Sequence, residues 1–309
     1  MHEEITIPEL TEVVARLSAL LGPREGGVAP LEGGITNRNY RVNFGGSDYV
    51  VRLPGKRSEL LGINRTAECI ANKQGAELGM APAVATLLEQ PPCLVTGFIK
   101  GREMSTEELR DRSCVEEIGA DLRRLHDSGV ELPTNFDPLA LSEGYARLAR
   151  EHGASIPDGF DAAREDARAI QAAVAGQAEH TPVPCHNDLL PANFMHDGER
   201  VQIIDWEYAG MGDRYFDLGN YAVNNQLDDA GERILLETYF GEPPDERRSA
   251  TLKLFRFVSD LREAMWGVLQ SGISELDFDF VEYGRRHFAR LAEARADPRF
   301  RGWIEAARG

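Results

Sequence analysis

Cysteine and long apolar runs are scarce in this sequence. The 309 residues contain four cysteines, none of them in a C-x-x-C spacing, so neither a structural zinc site nor a disulfide framework is indicated. No run approaches the roughly 18 uninterrupted apolar residues that a membrane-spanning helix needs. The N-terminus is acidic and lacks the basic and apolar regions of a signal peptide. We therefore expect a cytoplasmic protein with reduced thiols and no membrane partner.

Positive charge is also in short supply. The chain has 34 lysines and arginines against 51 aspartates and glutamates, which gives a net charge of −17. Proteins that bind nucleic acid contact its phosphates through clustered cations, so we expect no nucleic-acid partner. A negative field attracts a cationic substrate and repels an anionic one, although solubility alone also explains an acidic surface.

The first hundred residues alternate between strand and turn patterns. Apolar spacing predicts one helix over residues 7–21 and a second over residues 65–78, ending at Gly79. Strand patterns separated by glycine and proline turns occur at residues 28–31, 39–44, 49–53, 84–88 and 93–98. This part of the chain therefore predicts a five-stranded antiparallel sheet with one inserted helix.

Helical patterns dominate after Gly101, apart from the turn-rich stretch 183–205, which ends in the apolar run 201–204. Helices are predicted over residues 114–127, 140–151, 160–178, 215–225, 231–240, 245–270 and 278–294. The sequence thus predicts an α+β fold with two lobes. Residues 1–97 form a small sheet lobe and residues 98–309 a larger, mostly helical lobe, with a hinge near residues 97–100.

The segment 185–193, Cys-His-Asn-Asp-Leu-Leu-Pro-Ala-Asn, carries the clearest chemical signal. Asp188 and Asn193 are five residues apart, and Asp205 follows twelve residues later at the end of the apolar strand. Phosphoryl transfer needs a carboxylate that accepts the hydroxyl proton and hard oxygen ligands that hold Mg²⁺ against the phosphates. Asp188 is therefore the candidate base, and Asn193 and Asp205 are candidate magnesium ligands.

Turn chemistry alone also places Asp and Asn beside Pro, so the spacing has to be weighed against that explanation. The histidine two residues before Asp188, the distance to Asp205 and the preceding sheet lobe together favour catalysis. His186 is expected to pack beneath the loop and hold its backbone.

These motifs resemble the choline/ethanolamine kinase and aminoglycoside phosphotransferase superfamily, whose members are relatives of eukaryotic protein kinases. The loop motif His-Asn-Asp-Leu is joined by Ile-Asp-Trp-Glu-Tyr at residues 204–208 and Phe-Asp-Leu-Gly-Asn at residues 216–220. This combination is especially similar to the choline kinase branch, and the similarity covers nearly the whole chain. It implies a bilobal protein-kinase-like fold, ATP and Mg²⁺ as cofactors, and a small alcohol as the phosphate acceptor.

The resemblance assigns the nucleotide site to the first lobe. Arg52 matches the phosphate-pairing position on the third strand, Glu68 its ion-pair partner, and Phe98 and Ile99 the hinge that reads adenine. Solvent-exposed surface charges are the alternative for Arg52 and Glu68. Small residues in the turn between the first two strands would let backbone N–H groups approach the phosphates; they are Gly33, Gly34, Thr36 and Asn37.

Two further acidic residues receive roles from the resemblance. Glu207, two residues beyond Asp205, is expected to add a metal contact. Asp217 is expected to anchor the catalytic loop through hydrogen bonds to its backbone.

The acceptor site follows from the same resemblance. Trp266 matches a tryptophan that walls the choline pocket, and Tyr208 and Tyr283 are the next candidates, because aromatic faces attract an ammonium group. Asn224 stands where many choline kinases carry a glutamate, and Leu269 replaces a second tryptophan. The acceptor is thus expected to be a small, cationic alcohol, and the thinned cage leaves its identity open.

Two other functions remain as alternatives. A kinase of aminoglycosides or of another small molecule would share the fold, although no carboxylate cluster for a polyamine sugar is obvious. A pseudokinase-like binding protein would have lost its catalytic set, but Asp188, Asn193 and Asp205 are all present. The sequence is compatible with a monomer or a homodimer.

Overall fold

The computed structural model describes residues 8–31, 37–55, 58–90 and 92–308. Gly33, Gly34 and Thr36, which are predicted to cover the phosphates, lie outside the described residues. No helix within these ranges is both long and apolar enough to cross a bilayer.

The N-terminal part of the chain is a five-stranded antiparallel sheet in the order β1-β2-β3-β5-β4, as the sequence predicted. Its strands are β1 (Arg24–Leu31), β2 (Asn37–Phe44), β3 (Ser47–Pro54), β4 (Val84–Glu89) and β5 (Pro92–Gly97). The helices in this part are α1 (Pro8–Leu21) and α2 (Arg65–Glu77). Apolar residues of α1, among them Leu10, Val13 and Leu17, share a buried core with side chains of β2 and β3.

Helix α2 is fixed at both ends by local signals in the sequence. The Asn64 side chain accepts hydrogen bonds from the backbone N–H groups of Thr66 and Ala67, both at 3.0 Å, and so satisfies two of the helix's free donors. Gly79, with φ +78°, follows the end of the helix in a left-handed conformation. The defined start of α2 sets the position of Glu68 in its first turn.

The C-terminal part is mostly helical, with short strands around residues 185–193, the candidate catalytic segment. Its helices are α3 (Arg112–His126), α4 (Pro138–Glu151), α5 (Phe160–Val174), α6 (Arg214–Asn224), α7 (Asp229–Phe240), α8 (Glu246–Ile273), α9 (Phe280–Ala296) and α10 (Phe300–Ala306). Its strands are β6 (Arg102–Glu103), β7 (Val183–Cys185), β8 (Phe194–His196), β9 (Val201–Ile203) and β10 (Gly210–Gly212). Strands β6, β8 and β9 form one small sheet, and β7 pairs with β10. This α+β, protein-kinase-like architecture confirms the predicted fold class.

Several predicted boundaries differ from the structure by a few residues; β1, for example, begins at Arg24 and not at residue 28. Helix α5 ends at Val174 and not at residue 178, because Ala175 turns to ψ 132° and Gly176 adopts φ +79°, which stops the helix. The short helix α10 was not predicted. Its seven residues are too few to show a clear helical period.

Helix α6 approaches α8 closely through Gly219. A Cβ atom at this position would lie 2.6 Å from the backbone carbon of Phe255 and 2.8 Å from the backbone nitrogen of Arg256. Both contacts are with backbone, which cannot move aside as a side-chain end can. The glycine therefore sets the spacing between a helix that borders the catalytic loop and the buried central helix.

Gly219→Ala should lower the free energy of unfolding by about 1–3 kcal/mol, because the added methyl overpacks the α6–α8 contact. The matched control is Gly144→Ala in α4, where a Cβ would meet nothing within 4 Å. That control should stabilise the protein by about 0.5–1 kcal/mol, since glycine is the poorer helix former. Urea unfolding of both variants measures the difference, and equal changes would contradict the close-packing argument.

Candidate active site

The catalytic segment between β7 and β8 brings Asp188 and Asn193 into direct contact. The Asn193 Nδ2 donates to Asp188 Oδ2 at 3.0 Å and to the Asp188 carbonyl at 2.7 Å. Both side chains are buried. Because these bonds use the amide nitrogen, the Asn193 oxygen is the atom left to bind a metal. Asp188 and Asn193, five positions apart in the sequence, therefore form one hydrogen-bonded unit.

Helix α6 anchors this loop from below. The Asp217 carboxylate accepts hydrogen bonds from the backbone N–H groups of His186 and Asn187, at 2.8 and 2.7 Å. One turn later, the Asn220 Oδ1 accepts from the backbone N–H of Leu189. The backbone bonds predicted for Asp217 are therefore present.

His186 lies under the loop and connects it to the following strand. Its Nδ1 accepts the backbone N–H of Asp188 at 3.2 Å, and its Nε2 lies 3.0 Å from the carbonyl oxygen of Ile204. Since a carbonyl can only accept, the proton sits on Nε2. Burial lowers the pKa of His186, so the ring stays neutral and holds the backbone as predicted.

Asp205 lies two residues beyond the end of β9, and the residue before it bonds to Asn193. The Ile204 backbone N–H donates to the Asn193 carbonyl at 2.9 Å, which ties the two candidate metal ligands together. Asp205 has φ +65°, and Asn187 in the catalytic loop has φ +67°. Such left-handed conformations cost roughly 1–3 kcal/mol for a non-glycine residue and persist where the surroundings enforce them, often at functional sites.

Arg52 on β3 contacts two carboxylates at once. Its Nη1 lies 3.3 Å from Glu68 Oε1, which is the ion pair the sequence predicted, and it also pairs with Asp205 Oδ1. Burial disfavours the charged guanidinium, but Asp205 and Glu68 together raise the pKa of Arg52 above its ordinary value. The group therefore stays charged, and it links the sheet to the metal-ligand candidate.

Arg65 was missed by the sequence reasoning. It begins α2, where its Nη1 lies 2.7 Å from Glu68 and 3.4 Å from Glu207, and its Nη2 donates to Asn37 Oδ1 at 3.1 Å. Asn37 in turn donates to Glu207 at 2.7 Å. One weak signal was available, because a positive side chain in the first turn opposes the helix dipole and therefore needs another partner.

A cleft of about 310 Å³ lies between the sheet and the catalytic segment. Its lining includes four of the residues predicted for the nucleotide, Arg52, Glu68, Phe98 and Ile99, together with the predicted metal ligand Asp205. The Phe98 backbone N–H is already bonded to the Asp48 carbonyl at 3.0 Å. The volume falls at the lower end of ordinary small-molecule sites.

The predicted acceptor residues form one buried aromatic cluster. The Trp266 Nε1 donates to the Tyr208 hydroxyl at 2.8 Å, and the Trp266 and Tyr283 ring centres are 5.4 Å apart, edge to face. The Tyr283 hydroxyl donates to Glu263 Oε2 at 2.7 Å. Tyr208 lies 58 positions from Trp266 and 75 positions from Tyr283 in the sequence, yet the three side chains belong to one cluster beside α8.

Arg262 and Glu263 are the other side chains that the sequence reasoning missed here. The Arg262 Nη1 lies 2.6 Å from Glu263 Oε1 and 3.7 Å from Asp188 Oδ1. Burial raises the pKa of Asp188 well above its usual 3.8, and the positive charge of Arg262 opposes that rise. The buried carboxylate is therefore a stronger proton acceptor than an exposed aspartate.

The comparison with known proteins agrees with this geometry. Residues 27–252 match the model of the phosphotransferase enzyme family, and the chain belongs to that family. Protein LicA of Haemophilus influenzae is 28% identical over an alignment of 247 residues, and the alignment covers 76% of this chain and 70% of the relative. A probable ethanolamine kinase A of Dictyostelium discoideum is 25% identical over 310 residues, covering 87% of this chain and 85% of the relative.

Among solved structures, a choline/ethanolamine kinase family protein from Mesorhizobium loti superposes with a TM-score of 0.81. It is 29% identical, and the superposition covers 97% of this chain and 99% of that protein. The resemblance stated from the motifs is therefore confirmed, and the protein is a phosphotransferase.

Proposed function

We propose that this phosphotransferase uses ATP and Mg²⁺ to phosphorylate the hydroxyl group of choline, ethanolamine or a similar amino alcohol. One observation carries the proposal. The Asp188–Asn193 unit and the Arg52–Asp205 ion pair meet through the Ile204–Asn193 backbone bond. In this proposal a proton acceptor, two oxygen ligands for Mg²⁺ and a cation for phosphate lie on connected segments, and these are the parts that phosphoryl transfer uses.

In this proposal Asp188 accepts the proton of the attacking hydroxyl. Asn193 and Asp205 hold Mg²⁺, and Glu207 supports them. The metal, when bound, neutralises charge on the phosphates. The amide oxygen of Asn193 and the carboxylate oxygens of Asp205 and Glu207 are the hard ligands that Mg²⁺ prefers.

The nucleotide belongs to the sheet side. Arg52, held by Glu68, pairs with the phosphates, and Phe98 and Ile99 border the adenine. Residues 1–97 then act as the nucleotide-binding lobe and residues 98–309 as the catalytic and acceptor-binding lobe. Asn37, which begins β2, and Gly33, Gly34 and Thr36 before it contact the phosphates in this proposal.

The acceptor class rests on two kinds of support. The named relatives include an ethanolamine kinase and a choline/ethanolamine kinase family protein. The aromatic cluster of Tyr208, Trp266 and Tyr283 lies beside the Glu263 carboxylate. Arg262 occupies the Tyr208 face, so Trp266 and Tyr283, with the nearby carboxylate, are the residues that suit an ammonium group.

A coupled ADP-release screen tests the proposal. The panel contains choline, ethanolamine, further amino alcohols, neutral polyols and aminoglycosides, each with ATP and Mg²⁺. Turnover should be confined to the amino alcohols. Turnover of aminoglycosides alone would contradict the proposed acceptor while leaving the kinase chemistry intact.

Trp266→Leu should raise KM for the amino alcohol and leave KM for ATP unchanged. The substitution keeps apolar bulk but removes a cation–π face of about 0.5–2 kcal/mol, which corresponds to a roughly twofold to thirtyfold weaker apparent affinity. The control is Trp303→Leu in α10, away from the aromatic cluster. Steady-state kinetics with both substrates decides the matter, and equal losses in the two variants would assign Trp266 to the core.

A further inference from the structure

Arg262 is a cation enclosed within the candidate acceptor site. Its side chain is only 1% exposed, and its Nη1 edge is fixed by Glu263 at 2.6 Å, with Asp188 at 3.7 Å. The guanidinium carbon lies 4.1 Å from the centre of the Tyr208 ring. An aromatic face with two carboxylates is the environment expected for a substrate ammonium, and here the chain's own arginine fills it.

The other edge of the same guanidinium has no partner. Neither the Nε nor the Nη2 of Arg262 has a hydrogen-bond partner among the described residues. A buried donor without an acceptor keeps the full cost of leaving water, and that cost is larger when the group is charged. Unpartnered buried donors are rare in native proteins and call for an explanation. A ligand that supplies the missing acceptor is one such explanation.

Asn224 adds a second, independent donor of this kind. It is buried near the end of α6, and its Oδ1 accepts from Arg290 at 3.1 Å while its Nδ2 has no partner among the described residues. The next residue, Asn225, donates to the carbonyl of Leu189 at 3.2 Å, so this end of α6 adjoins the catalytic loop. The free atoms of Arg262 and Asn224 are donors, so a ligand that binds the free edge of Arg262 must supply a hydrogen-bond acceptor.

We propose that Arg262 determines acceptor specificity by donating, through Nε and Nη2, to an oxygen of the acceptor other than the attacking hydroxyl. The inference rests on the proposed function and narrows its substrate class to amino alcohols that carry a second hydroxyl group. The attacking hydroxyl lies at Asp188, and the second hydroxyl lies at the free edge of Arg262.

The charges around Arg262 decide which oxygen it binds. Asp188 and Glu263 already place two carboxylates beside one guanidinium, so a further anion on the substrate would meet repulsion. A trimethylammonium group offers no hydrogen-bond acceptor, and the Tyr208 face it would need is covered by Arg262. A neutral hydroxyl satisfies the donors without adding charge, and a primary ammonium suits the remaining negative charge.

Two amino alcohols that differ by one oxygen test this proposal. Serinol carries a second hydroxyl, whereas alaninol has a hydrogen in its place. In the ADP-release assay the parent enzyme should prefer serinol over alaninol by about 10- to 100-fold in kcat/KM, because hydrogen bonds to charged groups contribute about 1.5–3 kcal/mol. Choline should be poorer than serinol.

The paired variant Arg262→Gln/Glu263→Gln should reduce the serinol-to-alaninol ratio to about threefold or less, without leaving Glu263 as an unpaired buried charge. Arg262→Lys keeps the positive charge but loses the planar fork of the guanidinium. It should also lower the serinol-to-alaninol ratio, with a smaller change in Tm than the paired variant causes. The control is Arg256→Gln, which removes another arginine–glutamate pair of α8, with Glu232, and should leave the ratio unchanged.

These measurements distinguish a failure of the role proposed for Arg262 from a failure of the proposed function. If the parent turns over amino alcohols but does not distinguish serinol from alaninol, the role of Arg262 is wrong and the proposed function stands. An unchanged ratio in both Arg262 variants has the same meaning. If no amino alcohol is turned over, the proposed function fails, and this inference fails with it.

Discussion

Asp188→Asn should lower kcat on the order of 10²–10⁴-fold, the usual contribution of a positioned general base. The substitution keeps the shape of the side chain and an oxygen that Asn193 can bond, but it cannot take up the hydroxyl proton. Affinity for ATP should barely change, because the proposed nucleotide contacts lie on the sheet side. Steady-state kinetics at saturating ATP and Mg²⁺ measures the loss.

A stability measurement distinguishes this loss from damage to the loop. Burial raises the pKa of Asp188, so its replacement removes a costly buried charge, and Tm should stay level or rise. Asp217→Ala is the contrast, because it leaves the N–H groups of His186 and Asn187 without their acceptor and should lower Tm. Unaltered turnover in Asp188→Asn would show that another group is the base.

Asp205→Ala should reduce kcat/KM by roughly 10²- to 10³-fold at fixed Mg²⁺, since metal charge stabilisation is worth several kcal/mol. Asn193→Ala should act in the same direction. Because each variant loses one oxygen ligand, the Mg²⁺ concentration for half-maximal rate should rise, and excess Mg²⁺ should restore part of the activity.

Asp197 provides the control for the second experiment. It lies in the turn between β8 and β9, and its carboxylate accepts from the N–H groups of Glu199 and Arg200. Asp197→Asn alters the same hairpin without touching a candidate ligand, so its Mg²⁺ titration should match that of the parent. Parent-like titrations in both Asp205→Ala and Asn193→Ala would mean that these residues are structural.

Local patterns were sufficient to predict most of the fold. The strands of the sheet, the helix that carries Glu68 and the long helix α8 each contain their own apolar period and turn residues. The catalytic segment was also readable, because Asp188 and Asn193 interact over five residues. Features defined within one element or one loop leave a signature in the sequence.

The polar network of the site has no comparable signature. Arg65 and Glu207 are 142 positions apart, and Arg52 and Asp205 are 153 positions apart. Arg262 reads as an ordinary charged residue in a helix, and only the packing around α8 shows that it is enclosed beside Asp188. Charge pairs of this kind depend on the tertiary structure, so the local patterns of a single sequence do not show which partners meet.

The close contact at Gly219 also bears on motion. Helix α6 holds the backbone of the catalytic loop through Asp217 and Asn220, and Gly219 seats that helix on the backbone of α8, the helix that carries Arg262 and Trp266. Under the proposed function, the base and the acceptor wall therefore lie on elements that pack directly against each other. We expect any opening or closing of the sheet over a nucleotide to leave the alignment between acceptor and base intact.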